Sequence, residues 1–433
     1  MSPFLKRALP LLVALSLLLP VGIYFAVKRS ADSKTPPDEA PPTSPALSLL
    51  GKPPDWSTLE VFQNTITRED FERLLTTVFT VGEKWKELIE IDETAAHIRI
   101  NGPQDPEVFH LRFATATLTQ PTPRNWKSTA DLPPAPPGKP LDGLHIAIDP
   151  GHIGGSWAKI EARWFVVGDG TPVCEGDMTL QVAQLLKPRL EALGAKISLV
   201  RTKAEPITSL RPESLLTLAQ SSNEPTDSPA ALQKLAERLF YRTAEIRARA
   251  ELVNDSIKPD LVLCIHFNAD AWGDPTNPTL VDRTHLHFLL NGGYNNDEIA
   301  LADQRFSLLE KLLRRTHEEE ALVATTVANS FAALSGLPPF IYPPDSPNAR
   351  PVNDNPYLWA RNLLANRLYD CPVIFAEPYV MNSTIDYPRI QAGDYDGLRE
   401  INGQQRPSIF REYADALTQG LANHYQQSRT PAE

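Results

Sequence analysis

The sequence predicts an α/β fold, a mostly parallel sheet with helices on both faces, preceded by a small α+β module and an N-terminal transmembrane segment. Three observations carry this. From residue 142 onward, short apolar runs ("LHIAIDP", "AKISLVRT", "DLVLCIHFNA", "HLHFLL", "CPVIFAEP") are mostly separated by segments of helical periodicity, the pattern of strands covered by helices. Residues 8–27, "ALPLLVALSLLLPVGIYFAV", contain no charge and match the thickness of a hydrocarbon core. Fourteen of the 41 prolines crowd into 36–54 and 120–140, two extended stretches that cut the chain into three parts.

Taken in order, residues 1–30 are a membrane anchor or signal. Lys6 and Arg7 precede the apolar run, Lys28 and Arg29 follow it, and "IYFAVKRS" has no clean small-residue cleavage site, so the expectation is an uncleaved anchor in the inner membrane. The rest of the chain is then periplasmic or otherwise extracytoplasmic. A Pro-rich linker (31–54) leads to the module at 55–115. There "TREDFERLLTTVFT" has a Thr67 N-cap and an acidic first turn, and "AHIRI" and "FHLRFATATL" alternate as half-buried strands do. A second linker (116–141) precedes the main domain, 142–426. Its first helix places Val182, Leu185, Leu186, Leu190 and Leu193 on one face and stops at Gly194, with Pro188 expected to kink or divide it.

The net charge of −11 is spread along the chain, and no basic stretch alternates with aromatics, which argues against a nucleic-acid partner. Cys174, Cys264 and Cys371 have no CxxC spacing and read as small buried hydrophobes. The run "HEEE" at 317–320 reads as a solvated helical face.

Chemistry concentrates at strand ends. His152 follows the first run, His266 ends "LVLCIH" and Glu377 ends "VIFAE"; in a parallel sheet such positions converge beyond the carboxyl edge. Glu175 opens the helix after the first strand and faces the same edge. Two imidazoles and a carboxylate suit one zinc ion with a fourth position open, so His152, Glu175 and His266 are candidate ligands. Glu377 then suits the general base that moves a proton from water to a leaving amine. His285 and His287 share one strand face, either bordering the site or lining a polar surface.

"IAIDPGHIGG", "CEGDMTLQVAQLLKPRLEALGAKISLVRT", "RARAELVNDSIKPDLVLCIHFNAD" and "CPVIFAEPYVMNS" resemble, in order, the blocks of zinc-dependent N-acetylmuramoyl-L-alanine amidases of the Amidase_3 type. The resemblance spans about residues 142–425. It implies hydrolysis of the amide between N-acetylmuramic acid and L-alanine in peptidoglycan, zinc on His152, Glu175 and His266, and catalysis by Glu377. It also assigns Arg249, Asn268 and Asn382 to structural work around the strand ends. In some members a helix blocks the site until an activator protein binds; the insertion at 203–245 is a candidate for that, against a passive surface elaboration. The segments 156–174 and 338–356 depart from the family pattern and flank the expected cleft. Two alternatives use the same fold: a non-catalytic peptidoglycan-binding or scaffolding protein, and a zinc hydrolase of another amide.

Overall fold

The computed structural model describes residues 46–222, 224 and 227–429. The segment expected at 8–27 lies outside them, and among the described residues no helix is long and apolar enough to cross a membrane. The module at 55–115 contains helix α1 (Arg68–Leu74), whose Thr67 cap accepts from the Asp70 amide, and the antiparallel sheet β1 (Ile89–Ile91), β2 (Ala95–Arg99) and β3 (Val108–Arg112). Its core does not close on itself. Phe71, Leu74, Ile98 and Leu111 pack in one cluster with Tyr294, Leu308 and Leu312 of the main domain. The Pro-rich 116–141 stretch also packs inward, burying Trp126 and bonding Thr129 to Glu319.

The main domain runs β4 (His145–Pro150), β5 (Trp164–Phe165), β6 (Val173–Cys174), α2 (Glu175–Ala192), β7 (Lys196–Leu199), α3 (Leu216–Ser221), α4 (Pro229–Leu239), α5 (Glu245–Glu251), β8 (Leu261–Ile265), β9 (Leu286–Leu290), α6 (Asn296–Ala300), α7 (Ala302–Arg314), α8 (Thr316–Ser335), β10 (Arg350–Val352), β11 (Asn355–Ala360), α9 (Leu364–Leu368), β12 (Val373–Pro378), α10 (Tyr387–Gln391) and α11 (Ile409–Ser428). Seven of these strands form one sheet in the order β10-β11-β9-β12-β8-β4-β7. Period-two alternation divides its residues: Ile146, Ile148, Leu263 and Ile265 meet α2, α8 and α11, while Ala147, Val262, Cys264 and Phe375 meet α5 and the Tyr369–Cys371 segment. Helices therefore cover both faces. Each aliphatic side chain so buried contributes about 1.5–3 kcal/mol.

The sheet is mixed, with four of its six strand pairings parallel, as expected, and two antiparallel. β7, β4, β8 and β12 run together, but β9 is antiparallel to β12 and β11 follows β9. Residues 266–285 between β8 and β9 contain no helix, so no crossover returns the chain to the opposite edge. The chain leaves β8 and re-enters the sheet from the same side, which brings His285 and His287 to the carboxyl edge of β12.

Two local expectations fail. Pro188 does not divide α2, which runs 18 residues with the proline ring on its exposed side. The "HEEE" run is not a solvated face, because α8 packs between the sheet and neighbouring helices. Glu319 accepts from Thr129 and Glu320 from the Val373 amide, so these carboxylates serve as buried acceptors for backbone groups. The cysteines are free, with Cys264 and Cys371 buried.

Helices α8 and α11 touch backbone to backbone at Gly420, where an added Cβ would stand 2.7 Å from Val327 Cα. Gly420→Ala is expected to destabilise the fold by about 1–3 kcal/mol. Urea unfolding should show a lower midpoint at an unchanged slope; an unchanged midpoint would show that the two helices are free to separate there.

Candidate metal centre and active-site cavity

The turn after β4 is held by burial and by charge. Gly151 donates its amide to Ile265 O (2.8 Å), and a Cβ there would fall 2.3 Å from Cε1 and Nε2 of His266. Only glycine lets the two strand ends close up. The next residue, His152, takes a left-handed conformation (φ 56°) that a non-glycine residue adopts only when its surroundings compel it. Arg249 supplies that compulsion. Buried at 3% exposure, its guanidinium donates to Asp149 Oδ1 (2.9 Å), Pro150 O (2.8 Å), His152 O (2.6 Å) and Glu245 Oε1 (2.8 Å). Asp149 also accepts from the Tyr369 hydroxyl (2.5 Å), and Glu245 from the amides of Ile207 and Thr208.

Glu175 opens α2 with its carboxylate buried against both histidines. Oε2 lies 3.2 Å from His152 Nε2, and Oε1 lies 3.1 Å from both His266 Nδ1 and the Phe267 amide. Burial pushes its pKa up, but His152, His266 and Arg163 outweigh that and hold it down to about 2. His266 is fixed by stacking on Phe375, with centroids 4.3 Å apart and planes at 15°. Burial lowers the His266 pKa, and the bond to Glu175 together with the charge of Glu377 reverses this into a net rise.

Candidate ligand atoms of His152, Glu175 and His266 all lie within 4.8 Å of one another, and no other cluster of three His, Cys, Asp or Glu meets that test among the described residues. Zinc bonds of about 2.0–2.2 Å imply tetrahedral edges of roughly 3.3–3.6 Å, close to the separations here. The donor set fits a zinc ion.

Two residues of the site escaped sequence reasoning. Glu161, at 2% exposure, accepts from the Ile153 and Gly154 amides and lies 3.5 Å from His152 Nδ1. That placement favours a proton on Nδ1 and turns the Nε2 lone pair toward Glu175. Arg163 Nε lies 3.3 Å from the same Nε2 and 3.1 Å from Glu175 Oε2, so its guanidinium competes for the lone pairs an ion would use. Both sit in the 156–174 segment, where nothing in the spacing shows that the loop folds back over His152.

Glu377, at the end of β12 opposite His287, opens into a cavity of about 510 Å³ that the triad also lines. Burial raises its pKa to about 7, with His266 opposing the rise and Glu175 adding to it. Tyr241 and Arg242, at the end of the 203–245 insertion, form part of the rim, and the helices before them pack on Ile153 and Trp157. Asn382 is fully buried, accepting from the Asp270 amide and donating to Thr279 O, which joins the loops after β8 and β12. Asn268 approaches His287 Nδ1 (3.4 Å).

No family model matches the chain, and no curated protein matches it. Solved structures are similar at low identity. The N-acetylmuramyl-L-alanine amidase Ami1 of Mycobacterium smegmatis aligns over 66% of this chain and 99% of its own, at 17% identity and a TM-score of 0.37. The CwlD amidase of Clostridioides difficile, solved with the GerS lipoprotein, aligns over 65% and 98% at 13% identity and 0.36. The N-acetylmuramoyl-L-alanine amidase AmiC2 of Nostoc punctiforme aligns over 66% and 99% at 16% identity and 0.33. The chemistry of the site therefore has to come from its own residues.

Arg249→Met should cost about 3–5 kcal/mol by stranding Asp149 and Glu245 without their cation, read by urea unfolding; a loss under 1 kcal/mol would mean the turn holds without it. Arg163→Gln should tighten zinc binding about tenfold by removing a competing charge. Competition with a chromophoric chelator measures it, and weaker binding would contradict the competition.

Proposed function

We propose that this protein is a zinc-dependent amidase of peptidoglycan, cleaving the amide between N-acetylmuramic acid and L-alanine outside the cytoplasm. The observation that supports it is the convergence of His152, Glu175 and His266 within ligand distance, beside a cavity carboxylate, Glu377, that titrates near neutrality. The four motif blocks that resemble the family run through these same residues. His152, Glu175 and His266 would hold the ion, which when bound supplies a Lewis acid that polarises a carbonyl and acidifies water.

The chain's own residues do the rest. Glu161 and Arg249 hold His152, one at the ring and one at the backbone, so the imidazole presents Nε2 to the triad. Glu377 takes a proton from the attacking water at its carboxylate and returns it to the amide nitrogen as the C–N bond breaks. A carboxyl raised to about 7 by burial is balanced for both halves of that transfer. The N-terminal apolar segment, residues 8–27, would tether the enzyme to the inner membrane facing its polymer.

The test is digestion of purified sacculi by the full chain, with products identified by mass spectrometry. Stem peptides with a free N-terminal L-alanine, abolished by chelator, are expected; cleavage elsewhere, or none from zinc-loaded protein, sinks the reading. Glu377→Gln should keep zinc by elemental analysis while losing about 10²–10⁴-fold in rate, whereas His152→Ala should lose the metal itself. Full activity in the first or full occupancy in the second would remove that residue from its role.

A further inference from the structure

Beyond Glu377 the cavity wall is built of rings. His287 and Phe340 have centroids 5.0 Å apart and Phe340 and Tyr342 4.9 Å, with Trp359 packed behind Tyr342 at 5.0 Å. Burial lowers the His287 pKa to about 3, so this wall is uncharged at neutral pH. Arg361 lies against it, its guanidinium 5.9 Å from the Tyr342 ring centroid and its Nη1 donating to the Tyr342 hydroxyl (3.1 Å).

Four arginines line the cavity, and they differ in what balances them. Arg163 is paired with Glu175, and Arg249 with Asp149 and Glu245. Arg242 is exposed at the rim. Arg361 is half-buried in the wall, and among the described residues no carboxylate comes within ion-pair distance of it. A guanidinium has five N–H donors, and a tyrosine hydroxyl uses one. A partly desolvated cation without an ion-paired anion is costly, and a planar guanidinium fork is the standard receptor for a carboxylate. Its charge also reaches Glu377, where it opposes the rise in pKa.

We propose that Arg361 binds the free carboxylate of the second stem residue, which makes this enzyme selective for stems in which that carboxylate is not amidated. The inference rests on the amidase reading and deepens it. The sugar side of the scissile bond carries no anion, because the lactyl carboxyl is itself the amide. The first anion on the stem side is the α-carboxylate of the glutamate that follows L-alanine. Extended chain covers about 3.3–3.6 Å per residue, so that group stands one to two residues' span from the scissile amide, and Arg361 lines the same cavity as Glu377. Arg361 and the ring wall therefore form the stem end of the cavity.

Two muropeptides that differ only at this group test it: N-acetylmuramoyl-L-alanyl-D-glutamate and its isoglutamine counterpart. Calorimetry on the full chain with chelator present, each ligand checked intact afterwards, gives the dissociation constants. The acid should bind at least about tenfold more tightly than the amide to the unaltered protein, and the difference should shrink to within about twofold in Arg361→Gln. Arg361→Lys, which keeps the charge without the fork, should fall between, and thermal melts establish that both variants fold. Equal binding of acid and amide by the unaltered protein overturns the inference, as does no binding of either at millimolar concentration. A preference that survives Arg361→Gln also overturns it. Cleavage is read separately after zinc is added. If the acid binds preferentially but is never cleaved, the amidase reading fails while the carboxylate site stands; if both are cleaved and bound alike, only the carboxylate site fails.

Discussion

The structure depends on one buried cation. Arg249 meets two carboxylates and two carbonyls at once, and three of its four acceptors belong to Asp149, Pro150 and His152. Without it, Asp149 and Glu245 would lose their direct ion-pair partner, and the left-handed backbone at His152 would lose the donor to its carbonyl. The clamp thus turns the free energy of satisfying a buried ion pair into the position of a single imidazole. The close approach at Gly151 completes this by letting His266 stand directly over the turn. Rigid placement of both rings allows one carboxylate, Glu175, to reach them at 3.1 and 3.2 Å.

A second constraint comes from topology. Because no helix joins β8 to β9, β9 starts at the carboxyl edge and runs away from it, which lays His287 opposite Glu377 and the ring wall alongside. A fully parallel sheet would put the amino end of that strand at the far edge. The antiparallel insertion adds an aromatic wall to the cavity beside the candidate metal-binding residues.

Much of the site was legible in the sequence because strand ends are. "DPGH", "LCIH" and "VIFAE" each end an apolar run on a residue that can do chemistry, and the helix opened by Glu175 had to pack back on the sheet. The helix over 175–192 and the Thr67 cap were equally readable from periodicity and N-terminal chemistry. What stayed hidden depends on contacts between distant segments. The direction of β9 follows from the path of a loop. The burial of Glu319 and Glu320 follows from backbone amides at Thr129 and Val373 that need acceptors. Glu161 and Arg163 sit in a loop whose return over His152 leaves no periodic trace. Pro188 does not interrupt α2, because a ring on the solvent side of a well-packed helix can be accommodated without a break.

His152, Glu175 and His266 are proposed to hold one zinc ion together at the carboxyl edge of the sheet. Anomalous diffraction across the zinc absorption edge, on crystals of the zinc-loaded protein, tests it without reference to turnover. One strong peak is expected between these three side chains, with Glu377 facing it across the cavity and Arg163 withdrawn from His152. A peak held by other residues, or none at full zinc saturation, would contradict it.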